Sequence, residues 1–283
     1  MRWVWAAVVV IVGCSDHHEP PPAVDQTNDG IDLMVAGFGP RSVLHYQLAK
    51  GISSTLAIEL DHDLVAPGMG GRAPTSVTEL QIAVDDVQPD GGMKIRTTIA
   101  HVSSRDRAGM TATRDAFDRA MASLEGISYV GTLAPDGRIA DLHVDATGKQ
   151  LPPALAKQIG EAGKNFQELT LRLPHEPVGV GALWRYTGPI GPPELGLVAT
   201  SSVMVTSIEG TKLGFTLISE AKPGAGGSKL PPELAGFELS GAGVGVGVVD
   251  LSRMVRTGSQ TFELRSTGPD AMAMTTTTRY SAR

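Results

Sequence analysis

From residue 44 onward the chain repeatedly places apolar side chains at every second position, and this period of two narrows its fold more than any other feature. Leu44, Tyr46 and Leu48 alternate with His45 and Gln47, and Leu56, Ile58 and Leu60 repeat the pattern, as do Leu80, Ile82 and Val84. Side chains on a strand point alternately to opposite faces, so each such stretch predicts a strand with one face buried. Met93, Ile95 and Ile99 oppose Lys94 and Arg96, and Pro89-Asp90-Gly91 supplies the turn before them. Ala134-Pro135-Asp136-Gly137 and Glu209-Gly210 are further turn signals between apolar stretches. Later strands are expected around Trp184–Tyr186, Leu195–Ile208, Leu213–Ser219, Val244–Leu251, Gln260–Arg265 and Met272–Tyr280. With 34 glycines and few aromatic residues, the composition suits many short strands and turns rather than a helical bundle.

Two segments carry a helical period instead. Phe117, Ala120, Met121 and Leu124 share one helical face, with Thr113 placed to cap its start and Gly126 to end it. Leu155, Ile159, Ala162, Phe166 and Leu169 give a second, longer face after Pro152 and Pro153. The expected fold is therefore α+β and predominantly antiparallel β: a large curved sheet packed against two amphipathic helices. Leu124-Glu125-Gly126 before Tyr129–Leu133 echoes Leu239-Ser240-Gly241 before Val244–Val248. Two related β-rich halves, or chance similarity in a chain rich in Gly and Val, both account for that echo.

The amino terminus is of another kind. Arg2 is followed by ten apolar residues, Trp3 to Val12, and then by Gly13-Cys14-Ser15. Such a run has the length of a signal-peptide core, about half of the roughly 20 residues a bilayer span needs. Ile11-Val12-Gly13-Cys14 resembles the lipobox of bacterial lipoproteins. The resemblance implies that residues 1–13 are a signal peptide and that the Cys14 thiol carries the lipid, a role suited to a nucleophilic thiolate. Residues 14–39 then read as a lipid-anchored flexible tether, rich in proline at Pro20-Pro21-Pro22, and residues 40–283 as a β-rich globular domain. In the sorting rules of that family, Ser15 after the cysteine points to the outer membrane, facing the periplasm. Cys14 is the only cysteine, so the fold rests on packing without a disulfide.

Leu173-Pro174-His175-Glu176-Pro177-Val178-Gly179-Val180-Gly181-Ala182-Leu183-Trp184 resembles a feature of uncharacterised β-rich bacterial envelope proteins, in which a proline–valine–glycine stretch leads into a tryptophan-bearing strand. That resemblance implies a secreted or lipidated antiparallel fold and brings no catalytic residue with it.

Candidate chemistry is sparse. His17-His18-Glu19 is a polar spacer, since a metal site needs three or four oriented ligands. Asp61 and Asp63 fall on one face of a strand and His62 on the other, so the three cannot converge on one ion. Gly241, Gly243, Gly245 and Gly247 fail the spacing of a nucleotide loop; they alternate along a strand and leave one face without side chains, which suits close packing, with room for a ligand as the alternative. His45, His101 and His143 are expected on strands, at or near the solvent face. Trp184 and Tyr186 share a strand face and are weak candidates for stacking against a ligand, with core packing the more ordinary role. No catalytic motif is present, so no catalytic residue, metal or cofactor is expected. The net charge of −6 and scattered basic residues disfavour nucleic acid. The expectation is a non-enzymatic, lipid-anchored envelope protein that binds an apolar ligand or a lipidated partner. The alternatives are a structural or interaction protein of the envelope without a cavity, and an envelope hydrolase.

Overall fold

The structure is a computed structural model that describes residues 30–67, 69–111, 113–145, 169–191, 195–224, 238–268 and 271–283. One long meander begins with β1 (Ile31–Val35), β2 (Phe38–Ser42), β3 (Ser53–Ala66), β4 (Met69–Arg72), β5 (Thr75–Val87) and β6 (Met93–Arg105). A short helix, α1 (Arg114–Met121), and a 3-10 turn (Ala122–Leu124) lead into β7 (Ser128–Leu133) and β8 (Ile139–Asp145). The second stretch holds β9 (Val178–Val180), β10 (Leu183–Ile190), β11 (Leu197–Glu209), β12 (Lys212–Pro223), β13 (Glu238–Asp250), β14 (Val255–Thr267) and β15 (Ala273–Ala282).

All but two of these strands form one antiparallel sheet in the order β1-β10-β11-β12-β13-β14-β15-β3-β5-β6-β7-β8, with β4 beside β3. The carboxy-terminal β15 is the seam. It pairs with β14 from Gly258↔Tyr280 to Arg265↔Ala273, and with β3 from Leu56↔Ala282 to Val65↔Ala273. β2 and β9 form a separate two-stranded ladder. This ladder continues β1 and β10 past a sharp bend, where a β-carbon on Gly37 would lie 2.7 Å from the Val180 carbonyl oxygen. Only glycine permits that approach, and its positive φ of 80° suits it as well.

The expected α+β architecture with two amphipathic helices is corrected. The described residues hold one α-helix, and it is eight residues long. Phe117 on it is buried, and Met121 and Leu124 pack against the core. The expected helix over residues 155–169 lies outside the described residues except for the buried Leu169. What dominates is a single antiparallel β sheet in which the two stretches of strands are joined through β3 and β15. β1 and the start of β2, within the stretch assigned to the tether, are hydrogen-bonded parts of the fold.

The sheet curls into a cup. Residues 43–50, expected as a strand, instead run as an extended segment outside the ladders, with Leu44, Tyr46 and Leu48 buried and His45 and Gln47 exposed. The Tyr46 N–H donates to the Pro135 carbonyl in the β7–β8 turn at 2.8 Å, and the Gln47 N–H donates to the Leu251 carbonyl in the β13–β14 turn at 3.0 Å. Residues 169–173 bridge the two ends of the sheet. The Leu173 N–H donates to the Asp136 carbonyl at 2.9 Å, and the Trp184 Nε1–H donates to the Arg172 carbonyl at 2.8 Å. The Tyr46 hydroxyl accepts the Leu171 N–H at 2.9 Å and ties both inner segments together. These segments plug one end of the cup, its base. Strand pairs that are far apart in the sheet meet there in one core that includes Ile82, Tyr129, Trp184, Phe215 and Tyr280.

Candidate ligand-binding face

Cross-strand registers define what lines the cup. Residues directly opposite one another in an antiparallel pair share a face, so rows can be followed across the sheet. The row through the buried Tyr280 and Phe215 runs Ile58, Tyr280, Gly258, Gly247, Phe215, Val205. It fixes the inward side. One step farther from the base the inward row is Leu60, Thr278, Gln260, Gly245, Leu217, Val203, Trp184. The next is His62, Thr276, Phe262, Gly243, Ser219, Ser201, Tyr186. The outermost is Leu64, Met274, Leu264, Gly241, Ala221, Ala199, Gly188.

Two features follow. First, the described inward positions of these strands carry no carboxylate and a single charged side chain, Arg256, at the base. Its guanidinium lies 4.4 Å from the Tyr280 ring centre and 5.0 Å from that of Phe215, a stacked arrangement that tolerates burial. The charges sit on the outward side instead. Asp61 and Asp63 share the outer face of β3, where Arg107 lies between them, 3.4 Å from Asp61 and 3.0 Å from Asp63. Arg279 donates to Asp61 at 2.9 Å, Arg72 pairs with Asp63, and Arg105 pairs with Glu59. Burial works against the Asp61 carboxylate, yet hydrogen bonds from Thr75 and Arg279 and the charge of Arg107 together hold its pKa below the usual range.

Second, burial changes along the cup. Near the base Tyr280, Phe215, Val205, Val203 and Trp184 are buried. Toward the mouth, Leu60, Leu64, Phe262, Leu264, Met274 and Tyr186 are only half-buried. Their polar neighbours are neutral. His62 Nδ1 lies 3.0 Å from the Thr276 hydroxyl, and the Ser201 and Ser219 hydroxyls are 2.9 Å apart. Burial, with the nearby Arg107 charge in second place, pushes the His62 pKa down, so the imidazole is neutral at pH 7. The mouth half of the inner surface is therefore apolar with hydroxyl relief and carries no net charge.

The expected site residues fare as follows. Trp184 is wholly enclosed in the core and its indole N–H is occupied, so it packs rather than stacks on a ligand. Tyr186 is half-buried on the inner face, one row closer to the mouth. Asp61, His62 and Asp63 divide between the two faces as their alternation requires. Among the described residues no three His, Cys, Asp or Glu are placed to hold a metal ion. His101 Nδ1 lies 2.7 Å from the Glu125 carboxylate, and His143 Nδ1 lies 2.8 Å from the Asp141 carbonyl, both on the surface. His45 is exposed in the plugging segment rather than on a strand. Cys14 lies outside the described residues. The inner face of β13 is stripped of side chains as its glycines predict, and the space over Gly241 and Gly243 is taken by the Phe262 ring from β14. A β-carbon on Gly243 would sit 2.7 Å from that ring. A β-carbon on Gly247 would meet the Thr257 carbonyl oxygen, so close packing accounts for three of the four glycines. Sequence reasoning missed Phe262, Leu264 and Met274, because their inward direction is set by registers between distant strands.

No family model matches this chain, and no curated protein matches it. Among solved structures, one of lipovitellin, on lipid–protein interactions in that protein, superposes over 83% of this chain and 25% of its own, with 9% identity and a TM-score of 0.47. This chain spans about a quarter of the length of that lipovitellin chain. No described helix is long and apolar enough to cross a membrane.

Proposed function

We propose that this chain is a lipid-anchored protein of the bacterial cell envelope whose β cup holds an apolar ligand or the acyl chain of a lipidated partner, without catalysing a reaction. One observation carries the reading of the cup. The inward rows at its mouth present Leu60, Leu64, Phe262, Leu264 and Met274 half-buried, beside inward positions of glycine, alanine and serine and without a carboxylate. Ligand sites are mostly apolar with a few placed polar groups, and the hydroxyls of Thr276, Ser201 and Ser219 with neutral His62 are of that kind. The anchor rests on the lipobox-like Ile11-Val12-Gly13-Cys14.

Native mass spectrometry of the full chain, extracted from membranes in mild detergent, is the test. The expected result is a bound lipid-sized mass that is lost from Leu264→Glu and Met274→Glu variants of native-like circular dichroism. A folded protein that carries no such mass and takes up no fluorescent apolar probe overturns the proposal. For the anchor, the amino-terminal peptide of the mature protein should begin at Cys14 and carry the mass of acyl chains.

A further inference from the structure

The outward side of the same wall is unlike the rest of the surface. Outward positions in the register row Val35, Leu183, Met204, Thr216, Val246 run across five strands without an ionisable side chain, and those in the adjacent row Ser202, Ile218, Val244 across three, up to Arg185 and Asp32 on β10 and β1. Ile218 is 57% exposed and Val244 61%. At the base this field turns the corner made by the β2–β9 ladder, where Phe38 is 77% exposed opposite Val180. A shallow groove of about 480 Å³ between Phe38, Val180 and Ile208 extends it. The nearest charges form a rim: the Asp32–Arg185 pair at 3.0 Å, Glu220, and Arg41 beside Phe38. Elsewhere the outer face is dense in ion pairs, as on β3, so this field is a distinct region and not the general character of the surface. Exposed apolar fields of this extent on a soluble face mark a surface that meets protein or membrane.

The chain itself indicates which. β1 is the edge strand of this wall, and it is the strand that the amino-terminal segment enters. From Val35 to Val246 is four strand spacings, about 19 Å at 4.8 Å each. The 16 residues from Cys14 to Gly30 reach about 50 Å when extended at 3.1 Å per residue, so an acyl group on Cys14 can sit in a bilayer on which this wall lies flat. An aromatic ring flanked by an arginine, as Phe38 is by Arg41, suits the depth of lipid headgroups. We propose that the outer face of β1, β10 and β11–β13, with the Phe38 corner, rests on the bilayer that carries the anchor and thereby sets the orientation of the cup. The inference relies on the lipid-anchor reading for the bilayer's position, and it does not rely on the cup's content.

Cys14 is the only cysteine, and an acylated thiol does not react, so an introduced cysteine becomes the single free thiol. The test uses the full lipidated chain in phosphatidylethanolamine–phosphatidylglycerol vesicles, with an environment-sensitive dye on Val244→Cys, Val180→Cys or, on the opposite wall, Gln81→Cys. Dyes at 244 and 180 should emit blue-shifted light and be quenched by aqueous iodide at least threefold less than the dye at 81. Equal quenching at all three positions overturns the proposal. Shielding at 244 and 180 that persists in detergent together with a dimer mass also overturns it, because a second copy then covers the face. Reaction of Cys14 with the dye in the unsubstituted chain overturns the anchor instead. In that case flotation with added vesicles, lost on Phe38→Asp, decides whether the face binds lipid by itself.

Discussion

Tyr46 is the residue on which the base of the cup converges. Its ring lies in the core, its backbone N–H is bound to Pro135, and its hydroxyl receives the Leu171 N–H. Tyr46→Phe leaves that N–H unsatisfied and buried, and the expected loss is about 1–3 kcal/mol in urea unfolding. Burial also pushes the Tyr46 pKa far up, with the Leu171 hydrogen bond and Arg256 only partly opposing it, and burial alone pushes Tyr129 up to about 12. The folded state thus keeps protons that the unfolded chain gives up near its ordinary value of about 10. Stability contributed by these phenols is complete below that pH and is lost above it, and Tyr46→Phe should make alkaline unfolding less steep. His62 acts in the acid direction. Its folded pKa is depressed, so its contribution is complete above the unfolded value of about 6.5 and is lost as pH falls through the folded one. His62→Gln should flatten the fall in stability that begins below about pH 6.5, read as urea midpoints at successively lower pH.

At the scale of elements, the β13–β14 pair shows how far the sequence speaks. The alternating glycines of β13 are plain in the chain and predict a bare strand face. Which side chain would fill it is not, because Phe262 reaches that place only through the Gly243↔Phe262 register. Gly243→Val should cost about 1–3 kcal/mol by overpacking against the ring. A Phe262→Ala change in the same chain should recover part of that loss, and the non-additivity, about 0.5–3 kcal/mol, is measurable in a double-mutant cycle. Residues 43–50 are instructive for the opposite reason. Their period-two alternation predicts a strand, yet alternation reports only that one side of an extended chain is buried. Leu44, Tyr46 and Leu48 are buried by lying over the base of the core, so pattern and outcome agree on burial and differ on hydrogen bonding. Phe117 and Met121 were legible as a helix face because three- and four-residue spacing is local. The strand order was not, since β3 and β15 join residues more than two hundred positions apart, as Asp61 and Arg279 are. The inward row at the mouth inherits that illegibility, and with it the candidate site.

For the whole molecule, a cup with a solid base and a softer mouth has a thermodynamic signature. A ligand that binds only the folded state raises its stability by about 2.7 kcal/mol at a hundredfold excess over Kd. An apolar ligand should therefore raise the melting temperature of the full chain, and Leu264→Glu should abolish the rise. A sheet closed by distant pairings also folds slowly, in milliseconds to seconds or longer. Removal of residues 273–283 should leave a chain that collapses without the cooperative unfolding transition of the intact one.

The seam strand has a consequence for the life of the chain before it folds. β15 leaves the ribosome after every other described strand, and it joins both walls, since one long edge of β14 and one of β3 pair with it. Until residue 273 has been synthesised, two long strand edges have nothing to pair with and the cup cannot close. A nascent chain cut short before β15 therefore keeps both edges open, as templates for mispairing and as handles for proteases.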